Sequence, residues 1–162
     1  MPQPTAQSSV EIAAPPELVY RLVSDVPGQG RWAAEIDRCR WLGGAPGPAV
    51  GAKFRGVNQH RSRRWATTCV VTEAEPGRRF AFRVQIMGMP SALWRYEIEP
   101  TGSGCRVTES TRRLTPRILV LAVNSLLLGI RDRDAHNQRN IEATLAALKE
   151  YAEQEARDTT AR

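Results

Sequence analysis

Through the middle of the chain apolar and polar residues alternate one by one, whereas near both ends apolar residues recur every three or four positions. Val10 and Ile12 alternate with Ser9 and Glu11, which predicts a strand over residues 9–13 with a single apolar face. Pro15 and Pro16 then suit the first turn of a helix, where a missing backbone N–H costs nothing. Leu18, Val19, Leu22, Val23 and Val26 follow at helical spacing, so this helix buries one stripe before Pro27 and Gly28 stop it. A second short helix is predicted over residues 30–35, carrying Trp32, and a strand over residues 36–42.

The dense cluster Gly43-Gly44-Ala45-Pro46-Gly47-Pro48 marks a loop. Beyond it lie five strand candidates: 53–60, 65–75, 79–86, 93–99 and 105–114. The first two flank a basic tip at Arg61-Ser62-Arg63, and Pro76-Gly77, 88–90 and 101–104 supply the later turns. Phe80, Phe82, Val84 and Ile86 alternate with Ala81, Arg83 and Gln85, and Trp94, Tyr96 and Ile98 alternate with Arg95, Glu97 and Glu99. Such alternation predicts an antiparallel meander with one face buried.

After Thr115 and Pro116, a suitable cap and first-turn pair, a helical region covers most of residues 117–154. Ile130, Ile141, Leu145, Leu148 and Ala152 share one face of it, and Asp134 and Asn137 fall on the same stripe. Residues 1–7 are expected to be a disordered terminus and the polar residues 155–162 a frayed one. A strand, a short helical insert, a run of hairpins and one long closing helix describe an α+β fold, a sheet wrapped around a helix. That shape encloses a cavity, which makes binding of a small molecule the leading expectation.

Composition narrows this only slightly. A chain of 162 residues fits one domain with a real core, and 41% hydrophobic with 25% charged residues is ordinary for a globular protein. The net charge is +6, and only Lys53 and Lys149 of the 23 basic residues are lysine. The bases are spread along the chain, which indicates a solvated basic surface rather than a nucleic-acid footprint. One basic turn with one aromatic, Arg61-Ser62-Arg63-Arg64-Trp65, is not a stacking platform, so no nucleic-acid partner is expected. Cys39, Cys69 and Cys105 stand far apart without a CxxC and read as buried thiols of a reducing compartment. Residues 1–8 lack the charged start and apolar core of a signal peptide, so the expected location is the cytoplasm.

Several groups stand out chemically. Phe80, Phe82, Trp94 and Tyr96 form aromatic stripes on two neighbouring strands; core packing and cavity lining are equally compatible with the pattern. Asp134 is expected to pair with Arg131 on the exposed shoulder of the helix, while Asn137 could fix a ligand hydroxyl or carbonyl. Glu109 shares a strand face with Val107 and Thr111, and alternation leaves open which face is concave. The reading adopted puts it outward as a charge partner; inward, burial would raise its pKa and make it an acid or base. His60 and His136, the two histidines of the chain, are expected to be exposed and isolated, so no metal and no cofactor are expected. The apolar stretch 118–128 reads as buried helix or as a lid that touches a membrane or partner protein transiently.

Three segments carry a family resemblance: residues 10–25 with Trp32 following, Gly104-Cys105-Arg106-Val107-Thr108-Glu109-Ser110, and residues 140–149. Over roughly residues 8–153 the chain resembles the START/Bet v 1-like (SRPBCC) superfamily, in its bacterial polyketide cyclase/dehydrase branch. The resemblance implies a helix-grip fold, a curved antiparallel sheet holding the C-terminal helix with an elongated apolar pocket between them. Its members include lipid carriers and polyketide aromatases and cyclases. On this basis Phe80, Phe82, Val84, Trp94, Tyr96, Ile98, Asn137 and Ile141 are the expected ligand-binding residues of a carrier or sensor for a hydrophobic molecule. A cyclase-like enzyme would instead draw on Arg83 or Arg95, Tyr96, Glu109 and Asn137 as polar groups in the pocket. A carrier calls for an almost wholly apolar pocket; an enzyme calls for converging polar groups of perturbed pKa.

Overall fold

The computed structural model describes residues 3–116 and 132–162; Arg131, Ile130 and the stretch 118–128 lie outside them. Strand β1 (Ala6–Ile12) is followed by helix α1 (Pro16–Ser24) and a 3-10 turn (Val26–Arg31). Six further strands come next: β2 (Ile36–Trp41), β3 (Lys53–His60), β4 (Arg63–Glu75), β5 (Arg79–Ile86), β6 (Met89–Thr101) and β7 (Gly104–Arg113). Helix α2 (Arg133–Thr160) ends the described chain.

All seven strands form one antiparallel sheet in the order β1-β7-β6-β5-β4-β3-β2, so the first and last strands pair and the meander runs outward from them. Bulges at Val71–Glu73, Val84–Gln85 and Ile36–Arg38 shift the register and curve the sheet. Helix α2 packs against β1 and β7. Its apolar stripe, Ile141, Leu145, Leu148 and Ala152, is buried in one core cluster with Ile12, Val107, Phe80 and Ile98 from the sheet and Val19 and Val23 from α1. The α+β helix-grip architecture expected from the pattern is therefore present.

Element boundaries differ where side chains outvote periodicity. Ala6 and Gln7 belong to β1 rather than to a disordered terminus, because Thr5 N–H donates to Thr111 and Gln7 N–H to the Gln138 side chain, at 2.8 and 3.1 Å. The second short helix is a 3-10 turn lying earlier, at Val26–Arg31, where Pro27, Gly28 and Gly30 disfavour an α-helix. Pro90, expected in a turn, stands inside β6 opposite Gln85. The polar residues 155–160 continue α2 rather than fraying: Gln154 donates to Asp158 one turn on, and Arg21 of α1 pairs with Glu155 at 3.5 Å. At the other end Asp132 caps α2 by accepting from Ala135 N–H at 3.1 Å. Among the described residues no helix is long and apolar enough to cross a membrane.

Candidate ligand-binding site

The cavity follows from the phase of the strands. Side chains two apart share a face, and the pairings Phe54↔Cys69, Cys69↔Val84, Phe82↔Trp94 and Trp94↔Thr111 carry one face across β3 to β7. On that concave side Phe54, Phe82, Val84, Trp94 and Tyr96 face Asn137 and Thr144 of α2 across a cavity of about 130 Å³. This is smaller than the several hundred Å³ usual for drug-sized ligands. Aromatic edges meet faces along the wall: Phe54 with Phe82 at 5.2 Å between centroids, and Trp32 with Tyr96 at 6.4 Å.

One level below, Phe80, Ile98 and Ile141 are buried among core residues and do not line the cavity. They belong to the buried core beside the cavity, where α1 packs on β5 and β6. Arg83 and Arg95 alternate with the lining residues and occupy the opposite face of the sheet, where Arg95 is paired with Glu73. Neither arginine is a pocket group.

Glu109 is the main correction. It faces inward, 3% exposed, because Cys105, Val107, Glu109 and Thr111 are in phase and the first two are core. Tyr96, directly opposite on β6, donates its phenolic hydrogen to Glu109 Oε1 at 2.8 Å. Burial pushes the Glu109 carboxyl up to about 8, with the Tyr96 hydrogen bond opposing part of that rise. The Tyr96 hydroxyl is likewise held well above its usual 10, first by burial and then by the neighbouring carboxyl. At neutral pH Glu109 is thus mainly a carboxylic acid, with Oε1 engaged by Tyr96 and Oε2 without a partner among the described residues. Four further lining residues also carry buried atoms without a hydrogen-bond partner among the described residues: Thr111 Oγ1, Asn137 Oδ1, Gln29 Oε1 and Arg133 Nη1. Buried polar atoms ordinarily find a partner, so their convergence on one cavity marks where a polar ligand group fits.

Toward the ends of β7 and the start of α2 the wall becomes charged. Arg113 is ion-paired with Asp134, both in the cavity wall; Arg131, the partner expected for Asp134, lies outside the described residues. Arg133 leans over the Trp65 ring at 5.8 Å and lies 3.8 Å from Glu35. Trp65 itself lines the cavity and so belongs to the interior face of β4. The histidines are neither isolated nor exposed: His60 and His136 meet edge to face at 4.6 Å, and His136 Nε2 is 2.9 Å from Glu35 Oε1. All three cysteines are free thiols, with Cys39 and Cys69 in the cavity wall. Burial pushes these two up to about 11 and about 12, so they serve as apolar lining rather than as nucleophiles.

Residues 3–153 match the family model described as polyketide cyclase / dehydrase and lipid transport. Among solved structures, the polyketide cyclase-like protein Cgl2372 from Corynebacterium glutamicum is 34% identical, with 96% of this chain and 95% of that one covered at a TM-score of 0.64. Protein CV1439 from Chromobacterium violaceum is 17% identical over 91% of this chain and 96% of its own, at a TM-score of 0.66. The di-domain ARO/CYC StfQ of the steffimycin biosynthetic pathway is 11% identical at a TM-score of 0.70, with 96% of this chain and 51% of that one covered. The last two likenesses concern the fold. No match is found among curated protein sequences.

Proposed function

Because the chain belongs to the polyketide cyclase / dehydrase and lipid transport family, we propose that its cavity binds a small apolar molecule by an oxygen-bearing end and that Glu109 exchanges a proton with that end. The observation that carries this reading is the buried Tyr96–Glu109 pair with Glu109 Oε2 left to face a guest. A neutral carboxylic acid in an apolar site can donate to a carbonyl oxygen and polarise it, while the conjugate base can take a proton from the adjacent carbon. Tyr96 holds the carboxyl in one orientation, and Asn137 and Thr111 supply further contacts for hydroxyl or carbonyl groups. The aromatic wall would hold a flexible oxygenated chain or ring system in place, and such positioning lowers the barrier to intramolecular condensation or dehydration. Chemistry of the cyclase or dehydrase class follows from these parts.

A second reading, carriage or sensing of a lipid-like or aromatic molecule, is favoured by the apolar wall of Phe54, Phe82, Val84 and Trp94. The polar cluster at Glu109 weighs toward proton transfer, since a pure carrier gains little from orphaned acceptors. The two readings part on one experiment. The protein is incubated in D2O with 2-tetralone, an apolar benzo-fused ketone, and deuterium uptake beside the carbonyl is followed by NMR. Accelerated exchange that falls at least tenfold in Glu109→Gln supports proton transfer. Binding without exchange leaves the carrier, and native mass spectrometry of gently purified protein then identifies what is carried.

A further inference from the structure

Three segments far apart in sequence bring their metal-ligating side chains to one point at the cavity's edge. Glu35 lies just before β2, His60 ends β3 and His136 stands in the first turn of α2. Backbone hydrogen bonds fix this meeting. The Glu35 carbonyl accepts from Gln59 N–H at 3.0 Å, beside His60, and Ala34 N–H donates to Thr144 Oγ1 of α2 at 3.2 Å. The carboxylate O of Glu35 and one ring nitrogen from each histidine all lie within 4.8 Å of one another. We propose that Glu35, His60 and His136 bind a divalent late transition ion of the zinc class, with the remaining coordination position open toward the cavity that Glu35 lines.

The chemistry of the donor set suits that ion. Zinc takes imidazole nitrogen and carboxylate oxygen at about 2.0–2.2 Å, which places neighbouring ligands roughly 3.4 Å apart in a tetrahedron. Drawing the three groups inward by about an ångström is within reach of side-chain rotation alone. The ion replaces the hydrogen that His136 Nε2 now shares with Glu35 Oε1. Glu35 already has the support that ligating carboxylates require: Asn140 Nδ2 donates to its Oε2 at 3.5 Å, and Arg133 stands 3.8 Å from the same oxygen. The arginine charge is thereby directed to Oε2, which leaves Oε1 for the ion. Two imidazoles and one carboxylate are three protein ligands, the number that zinc sites with an exchangeable fourth position use. Such a site is independent of Tyr96 and Glu109 and would add a Lewis acid at the charged end of the cavity.

The test uses the full chain without an affinity tag, stripped with a chelator and titrated with Co2+. Because His60 and His136 are the only histidines, imidazole ligation has one source, and the three free thiols are told apart by the intense near-ultraviolet charge-transfer band of Co2+–thiolate. Expected are saturation at one equivalent, visible ligand-field bands of a four- or five-coordinate ion, and their loss on adding Zn2+. His60→Ala and His136→Gln, each shown to be folded by circular dichroism, should weaken binding at least about a hundredfold, and Asn140→Ala by about tenfold. The half-buried His60 carries the test if His136→Gln does not fold. Non-saturating absorption, or equal affinity in wild type and His60→Ala, would overturn the site.

Discussion

Tyr96 and Glu109 stand opposite each other on β6 and β7 and share a 2.8 Å hydrogen bond inside a cavity whose wall near them includes Phe82, Trp94 and Val84. Neither residue is needed there for packing, since Phe or Leu would fill the same space without desolvating a carboxyl. What the pair adds is a carboxylic acid that is neutral at neutral pH, oriented on one oxygen and open on the other.

That arrangement has a pH signature. Unfolded, the Glu109 carboxyl titrates at its ordinary 4.5; folded, at about 8. Between these values the native state holds a proton that the unfolded state has lost, so the contribution to stability is complete below 4.5 and falls as pH rises through the window. The decline is on the order of 1 kcal/mol per pH unit and stops above the folded value. Glu109→Gln keeps the shape and cannot ionise. Denaturant unfolding across this range should show the variant gaining on wild type as pH rises; parallel curves would place an ionised Glu109 in the native protein.

The grip of the sheet on α2 is tested at Leu145, which is 2% exposed and packed among Ile141, Leu148 and the concave side of the sheet. Leu145→Ala should cost about 2–5 kcal/mol in denaturant unfolding. A change below roughly 0.5 kcal/mol, typical of surface sites, would show that the stripe is not buried.

Alternation and turn residues made most of the sheet legible, because β5, β6 and β7 each bury one face and their apolar positions repeat in phase. Glu109 faces inward against the outward expectation, although a signal for the inward face stands beside it. It is two and four residues beyond Val107 and Cys105, whose apolar side chains mark the core face more reliably than the polar residues around Glu109 blur it. The depth of each residue was not legible: Phe80 and Phe82 share a face, yet only Phe82 lines the cavity, while Phe80 sits in the core where α1 packs on β5 and β6. The approach of His60 and His136 to Glu35 depends on tertiary closure of three segments, for which no local pattern exists. The C-terminal turns of α2 escaped notice for a related reason, because their support comes from α1 through Arg21 and Glu155.

Gly104 is required by its surroundings. Its φ is +156°, and a β-carbon built there would come within 2.1 Å of the Ile12 carbonyl oxygen and 2.9 Å of Ala14 N, both backbone atoms at the end of β1. Gly104→Ala therefore has to push β1 away from β7 where Ile12 pairs with Cys105. We expect a loss of about 1–3 kcal/mol or more, as for other forced overpacking. Gly102→Ala in the same turn meets no atom within 4 Å and should stay within about 0.5 kcal/mol of wild type. Equal behaviour of the two variants in thermal unfolding would remove the close-approach explanation.

The last prediction addresses the cavity itself. Val84 lines it from β5, directly across from Cys69 of β4, and is half-buried rather than locked into the core. A tryptophan there has room to turn into the cavity and occupies space that a guest needs. An environment-sensitive apolar dye should bind wild type with about micromolar affinity, near −8 kcal/mol. Val84→Trp should weaken that binding at least tenfold while the far-ultraviolet circular dichroism is unchanged. Arg83→Ala is the matching control, since Arg83 precedes Val84 but lies on the opposite face. Dye binding that drops in Val84→Trp and holds in Arg83→Ala places the guest on the concave side. Binding that is equal in all three proteins assigns it to another surface and removes Phe82, Trp94 and Tyr96 as its wall.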